Sequence, residues 1–245
     1  MKVLVLGASG ATGKLVVQNL LKRKIKVQAV IRESANIPQN MMEDENLEII
    51  KGNISEFDSS KIQAIFKDSY SVICCLGHNL SFKGMFGPPY KLVSGTIKKV
   101  IDAIQSQNGN KKLILMSTTA YTNKNIGEKN TVGEKIIFIL LKIFLPPHND
   151  NMIAANYLVK HIGEKRNLNW VGIRPDSLID EENESDYEVY DQKVRSPIFD
   201  PGKTSRINVS NFMVELITDN NLWDKWNNKT PVIYNKDKNE KIATA

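Results

Sequence analysis

Short apolar runs alternate along the chain with segments whose apolar residues recur every three or four positions. Val3 to Leu6 is almost continuously apolar, as a strand covered on both faces requires. From about Thr12 the residues Leu15, Val16, Asn19 and Leu20 keep helical spacing, and Val27 to Ile31 forms a second apolar run. The segment from Ser34 to Asn46 is polar and holds Pro38, which predicts a loop with at most a poor helix. Leu47 to Ile50 and Ser71 to Leu76 read as third and fourth strands. Leu92, Val93, Ile97, Val100, Ile101 and Ile104 then share one face of a strong amphipathic helix. Lys112 to Met116 gives a fifth strand, Met152 to Ile162 a helix, and Trp170 to Ile173 a sixth strand. Residues 180–206 break this rhythm with many acids, Pro197, Pro201 and Gly202, and predict an excursion from the core. Phe212 to Ile217 returns to helix, and Pro231 to Tyr234 reads as a final short strand. Strands that alternate with helices predict an α/β chain built on a mostly parallel sheet, with helices on both faces. No internal repeat or linker divides residues 1–245, so a single domain is expected.

Composition narrows the function classes. Hydrophobic residues make up 41% and charged residues 24%, an ordinary globular balance. No apolar stretch reaches the roughly 20 residues that span a bilayer. The chain opens on Lys2 and a strand-like run rather than a signal peptide, so a cytoplasmic protein is expected. The net charge of +6 is spread over scattered lysines, without the basic, aromatic-interleaved stripe of a nucleic-acid binder. An excess of a few positive charges suits an anionic small-molecule ligand as well as it suits a merely lysine-rich chain. Cys74 and Cys75 are adjacent in a strand and point to opposite faces, which excludes an ordinary disulfide between them and predicts two small buried residues.

The most informative segment is Gly7-Ala8-Ser9-Gly10-Ala11-Thr12-Gly13, which leaves the first strand and opens the first helix. Gly7 permits a sharp turn, Gly10 lets backbone approach a pyrophosphate, and Gly13 lets the helix pack close to the sheet. The helix N-terminus then offers free N–H groups and the positive end of its dipole to phosphates. This is the loop of a Rossmann-type doubly wound fold.

The G-x-x-G-x-x-G spacing resembles that of the extended and atypical short-chain dehydrogenase/reductases, among them NmrA-like proteins and the biliverdin-IXβ/flavin reductases. The likeness covers nearly the whole chain and is most specific in the first 120 residues. It implies a dinucleotide held by Gly7, Ser9, Gly10, Ala11, Thr12 and Gly13. Arg32 ends the second strand where such reductases carry an arginine for the adenosine 2′-phosphate, which favours NADP(H). Glu33 adjoins it and keeps NAD(H) as the alternative. Gly52-Asn53-Ile54 matches the Gly-Asp-aliphatic element beside the adenine, with Asn53 in place of Asp, and Leu76-Gly77 resembles the turn beside the cofactor's middle. Ser117 and the hydroxyls of Thr118 and Thr119 end the fifth strand towards the nicotinamide, Thr119 at the position of the reductases' active-site serine.

The family's usual catalytic pair, a Tyr with a Lys four residues on, is missing. Tyr157 has Lys160 only three residues on, and Tyr234 with Lys238 falls in the C-terminal tail. Asp176 follows Arg174-Pro175 near a position where the reductases carry a histidine, which argues against tetrapyrrole reduction more than against flavin reduction. His78 and Asn79 follow the Gly77 turn, and a solvent-facing loop is the plainer reading of His78 beside that of a proton donor. His148 and His161 have no ligand spacing, so no metal site is expected. Ile136 to Leu145 is nearly unbroken apolar sequence, interrupted by Lys142 and closed by Pro146-Pro147. A buried helix or a lid over the substrate is the first reading, and dimer contact or membrane-surface attachment the second. By the resemblance, residues 130–150 and 176–206 cover the substrate side.

These readings lead to an NADPH-dependent oxidoreductase that transfers hydride to a flavin, quinone or similar planar acceptor. The alternative from another class is an NmrA-like NADP-binding redox sensor without turnover, favoured by the missing Tyr-Lys pair. An isomerase or epimerase is third, for want of the Tyr. The expected partner is a small molecule, with no nucleic acid and no membrane span, in a monomer or homodimer.

Overall fold

The computed structural model describes residues 1–78, 87–107, 111–144, 146–161 and 168–236. Its first half runs β1 (Lys2–Leu6), α1 (Ala11–Lys22), β2 (Lys26–Ile31), the single turn α2 (Gln39–Met42), β3 (Leu47–Lys51), α3 (Ser59–Phe66), β4 (Ser71–Cys74) and α4 (Leu92–Gln105). The second half runs β5 (Lys111–Met116), α5 (Val132–Phe144), α6 (Pro146–His161), β6 (Leu168–Pro175), β7 (Ser177–Ile179), β8 (Tyr187–Tyr190), β9 (Lys203–Ser205), α7 (Arg206–Thr218), α8 (Asn220–Trp226) and β10 (Val232–Asn235).

Eight strands form one sheet in the order β3-β2-β1-β4-β5-β6-β10-β8. All neighbours are parallel except the last pair, where β8 runs antiparallel to β10 with Ile233 opposite Val189. The chain winds outwards in both directions from the β1–β4 junction, where Leu6 pairs with Val30 on one side and Cys74 on the other. That reversal opens the crevice in which a doubly wound sheet binds its ligand, at the carboxyl ends of the strands.

The strand residues alternate between two cores, as a period of two requires. Val3 and Val5 face Val16, Val17, Leu20, Phe212, Met213 and Trp226, the layer made by α1, α7 and α8. Leu4 and Leu6 face Ile62, Phe66, Ile97, Ile101, Ala154 and Leu158, the layer made by α3, α4 and α6. Cys74 and Cys75 divide between the two layers as their adjacency predicts, and burial raises both thiols, Cys74 to about 12. Neither is a reactive thiolate.

Two elements depart from the sequence reading. The polar excursion of residues 180–206 contains β8, which closes the edge of the main sheet, while β7 and β9 pair with each other in a two-stranded sheet. Tyr187, Val189 and Tyr190 supply its side-chain contacts: Tyr187 meets Phe212 edge-on, and Tyr190 meets Tyr234. The apolar run Ile136 to Leu145 is helical through Phe144, but it is not a buried helix. Ile136, Ile139, Leu140 and Phe144 are exposed, while Glu134 is buried and Ile137, Phe138 and Leu141 are half-buried on the side turned inwards. Leu145 lies outside the described residues. The helix α3 had no forecast in the pattern; Asp58 caps it by accepting from the Lys61 N–H at 2.7 Å.

Candidate dinucleotide and acceptor site

The loop Gly7–Gly13 lies in the crevice between β1 and β4, and its glycines are steric requirements. Gly7 has a φ of +76°, and a Cβ there would stand 2.8 Å from the Cys75 carbonyl carbon. A Cβ on Gly13 would overlap the Gly7 carbonyl oxygen. Gly10 N–H donates to Gly7 O over 3.0 Å, which closes the turn. The first turn of α1 holds no acid, and its N-cap residue, Gly10, supplies no side-chain hydrogen bond. Its N–H groups therefore lack the internal anion that many helices provide. The N-terminus of α4 shows the contrast. There Asp150 accepts from Val93 N–H at 2.7 Å, from Ser94 N–H at 3.1 Å and from the Ser94 hydroxyl. One helix start is neutralised from within; the other is left open to a phosphate.

An open cleft of about 670 Å³ lies at the ends of β2 and β3. Arg32, Glu33, Lys51, Gly52, Asn53 and Lys61 line it, with Phe57 at its base. Arg32, Lys51 and Lys61 form no ion pair among the described residues. Two of the three acids at the rim are already engaged: Glu56 accepts from the Asn53 amide at 2.8 Å, and Asp58 caps α3. Asn53 Oδ1 takes the Ser55 hydroxyl at 2.8 Å and so shapes the turn that buries Ile54. Three cations and three carboxylates thus share the cleft, with Arg32, Lys51 and Lys61 free to meet a phosphate while Glu56 and Asp58 are turned to local donors.

The ends of β4, β5 and β6 line the rest of the crevice. Leu76 is buried and Gly77 exposed, with open space where a Cβ would stand. His78 is not a solvent-facing residue. Its side chain is almost wholly buried, and its Nε2 stands 2.9 Å from Asp150 Oδ2. Asn79 lies outside the described residues. Ser117 Oγ, at the end of β5, is buried without a hydrogen-bond partner among the described residues. A buried polar atom of that kind calls for a ligand or solvent to satisfy it. Thr118 Oγ1 accepts from Ala120 N–H at 3.3 Å, and Thr119 Oγ1 donates to Asp176 Oδ1 at 3.2 Å. Asp176 also accepts from the Gly202 N–H at 3.0 Å. Burial raises its carboxyl above the ordinary value, against the opposing hydrogen bonds and the charge of Arg195.

Neither Tyr121 nor Tyr157 is tuned for proton transfer. Burial pushes the Tyr121 phenol up to about 12, and Tyr157 is raised by burial and by Asp102. A proton-transfer tyrosine needs the opposite shift. Lys160, on the next turn of α6, is exposed. Among the described residues no group of three His, Cys, Asp or Glu side chains is arranged to hold a metal ion.

Beneath the site Arg174 is wholly buried. Its Nη1 donates to Glu128 Oε2 at 2.7 Å and to Tyr121 O at 3.1 Å, and its Nε donates to Thr230 O at 2.7 Å. Glu128 in turn accepts from the N–H groups of Asn123 at 2.8 Å and Lys193 at 3.0 Å. Lys193 Nζ reaches Asn130 at 2.9 Å, and the Ser196 hydroxyl donates to Glu134 at 2.6 Å. This network ties the 121–134 segment and the 191–202 segment to the end of β6. Nothing in the spacing of Glu128, Arg174 and Lys193 forecasts it.

The geometry describes a dinucleotide crevice, and comparison with known proteins agrees. The sequence profile of the NAD(P)H-binding family matches residues 7–220, and the chain belongs to that family. The resemblance to the atypical short-chain reductases is borne out at that level. A chloroplastic protein of Arabidopsis thaliana with no assigned function is 28% identical over 177 residues. That match covers 72% of this chain and 59% of the relative, so the chain spans less than two-thirds of the relative's length. Among solved structures, a proposed NADH-flavin reductase from Streptococcus pneumoniae is 18% identical and matches with a TM-score of 0.69, over 96% of this chain and 100% of the other. A short-chain dehydrogenase/reductase from Veillonella parvula in complex with NADP is 15% identical, with a TM-score of 0.67 over 95% and 94% of the two chains. At such identities the structural likeness speaks for the fold. No helix among the described residues is long and apolar enough to cross a membrane.

Proposed function

We propose that this protein is an NADPH-dependent reductase that delivers hydride to a flavin, quinone or similar planar acceptor. The observation that carries the reading is the pairing of an uncapped α1 N-terminus with the part-buried Thr119–Asp176 hydrogen bond at the strand ends of the same crevice. In this reading the Gly7–Gly13 loop, with Ser9, Ala11 and Thr12, holds the pyrophosphate, and Arg32 takes the 2′-phosphate in the cleft beside Asn53 and Ile54. Leu76 and Gly77 flank the middle of the dinucleotide, and the orphaned Ser117 hydroxyl bonds its nicotinamide end.

When bound, the reduced nicotinamide supplies a hydride. The chain's own task is to place the acceptor and to supply the matching proton. Asp176 is protonated over a wider pH range than an ordinary aspartate. With Asp176 protonated, the contact to Thr119 reverses, and the threonine hydroxyl is free to donate to the acceptor. Planar acceptors need orientation and exclusion of water more than a strong acid. Residues 130–150 and 176–206, tied together by Glu134–Ser196 and Asn130–Lys193, provide that cover.

A second reading, an NADP-binding regulator without turnover, rests on the absence of the Tyr-Lys pair. NADPH oxidation by the purified protein, against flavins, quinones and biliverdin, separates the two. Acceptor-dependent oxidation above the protein-free rate supports the reductase. Tight NADPH binding with no oxidation across the panel sinks it in favour of the regulator.

A further inference from the structure

Residues 121–150 sort their charges by sign. Glu128, Glu134 and Asp150 are all buried, held respectively by Arg174, by Thr131 N–H with the Ser196 hydroxyl, and by His78 with the start of α4. Lys124, Lys129, Lys135 and Lys142 are all exposed. Every formal charge that this segment shows to solvent is therefore positive.

Between those lysines α5 turns an apolar stripe outwards. Val132 is 73% exposed, Ile139 59% and Phe144 64%, with Ile136 and Leu140 also exposed between them. At 100° per residue these positions fall on one face, and Lys135 and Lys142 share one edge of it. Phe199, 62% exposed, extends the stripe from the neighbouring segment, where its ring lies against Gly133. An ordinary surface helix turns its apolar face to the core. Here Glu134 is buried with Ile137, Phe138 and Leu141 half-buried around it, and a second apolar face is left in water, which signals an interaction surface.

We propose that α5 docks this protein onto an anionic lipid bilayer surface. The stripe enters the boundary between headgroups and acyl chains, and Lys135 and Lys142 lie at the lipid phosphates. The 13-residue helix is roughly 20 Å long, too short to span, and its layout of apolar face and lysine edge is that of a helix lying in the interface. A second copy laid antiparallel about a two-fold axis is a poorer occupant, because that packing brings the lysine edges against each other. This inference does not depend on the reductase reading.

The test is co-sedimentation with vesicles of phosphatidylcholine alone and of phosphatidylcholine with about one-third phosphatidylglycerol. The expected result is partition at least about tenfold stronger onto the anionic vesicles, weakening as salt is raised. Leu140→Glu lowers that partition about tenfold, with an unchanged melting temperature because the position is exposed. The double variant Lys135→Ala, Lys142→Ala loses the preference for anionic vesicles. Equal partition onto both vesicle types, or none, overturns the proposal. So does a dimer in light scattering that Leu140→Glu converts to monomer, which would assign the stripe to a second copy.

Discussion

Thr119 Oγ1 stands 3.2 Å from Asp176 Oδ1, joining the ends of β5 and β6 through the only side-chain hydrogen bond that the Thr119 hydroxyl makes among the described residues. The folded protein holds the Asp176 proton more tightly than the unfolded chain does, since burial raises the carboxyl from its ordinary 3.8. The stabilising contribution is therefore complete below that ordinary value and is lost as pH rises through the raised one. If Asp176 supplies the proton, turnover falls over the same rise. Asp176→Asn is expected to lower kcat about a hundredfold and to flatten both dependences. Rate and denaturation profiles across pH check this, and an unchanged rate profile in the variant removes Asp176 from the chemistry.

Arg32 lines the cleft at the ends of β2 and β3 without an ion partner among the described residues. Arg32→Ala is expected to weaken NADPH binding by roughly 2 kcal/mol and leave NADH nearly unchanged, since only NADPH carries the 2′-phosphate. Titration calorimetry with both nucleotides decides it. Equal losses would mean that Arg32 does not read the 2′-phosphate.

Gly13 has no room for a side chain, because a Cβ would overlap Gly7 O. Gly13→Ala must push α1 away from the loop, at a cost of about 1–3 kcal/mol in stability and with loss of dinucleotide binding. A parallel Gly77→Ala variant meets open space and should keep its stability. Thermal melts with and without NADPH compare the two. A Gly13→Ala protein that still gains stability from NADPH would show that the loop does not hold the pyrophosphate.

Glu128→Gln leaves the wholly buried Arg174 without its anion, and about 3 kcal/mol or more of stability should go with it. Burial by itself would raise the Glu128 carboxyl, but the Arg174 hydrogen bond and charge, with the N–H groups of Asn123 and Lys193, carry it below the ordinary value. The pair's contribution is thus present above the ordinary carboxylate range and lost as pH falls through the lowered value. Urea denaturation of parent and variant at neutral and acid pH tests both statements. Parent and variant of equal stability at neutral pH would contradict the first.

The strands from Val3 to Leu6 through Trp170 to Ile173 were legible in the sequence because a sheet buried on both faces demands unbroken apolar runs. Their alternation with helices pointed to a parallel sheet, and the order β3-β2-β1-β4-β5-β6 is one of the few that parallel crossovers permit. Strand β8 was not legible. Its residues Tyr187, Glu188, Val189 and Tyr190 sit among acids at a sheet edge, where half-exposed positions carry no clear apolar period.

The sequence by itself determined the Gly7–Gly13 loop, because a turn of positive φ, a close backbone approach and a tight helix-sheet contact each exclude a side chain locally. It also brought Ser117, Thr118 and Thr119 to a strand end, since chain direction fixes which end of a parallel strand meets the crevice. Which partners those groups meet depends on packing between distant parts of the chain. His78 and Asp150 are 72 residues apart, Glu128 and Arg174 are 46 apart, and Thr119 and Asp176 are 57 apart. No local pattern records such pairs, because each joins residues far apart in the chain that meet only when their elements pack around one sheet. The outward face of α5 has the same origin. The helix is apolar on both sides, and packing turned Glu134 with Ile137, Phe138 and Leu141 inwards while Glu134 met Thr131 and Ser196.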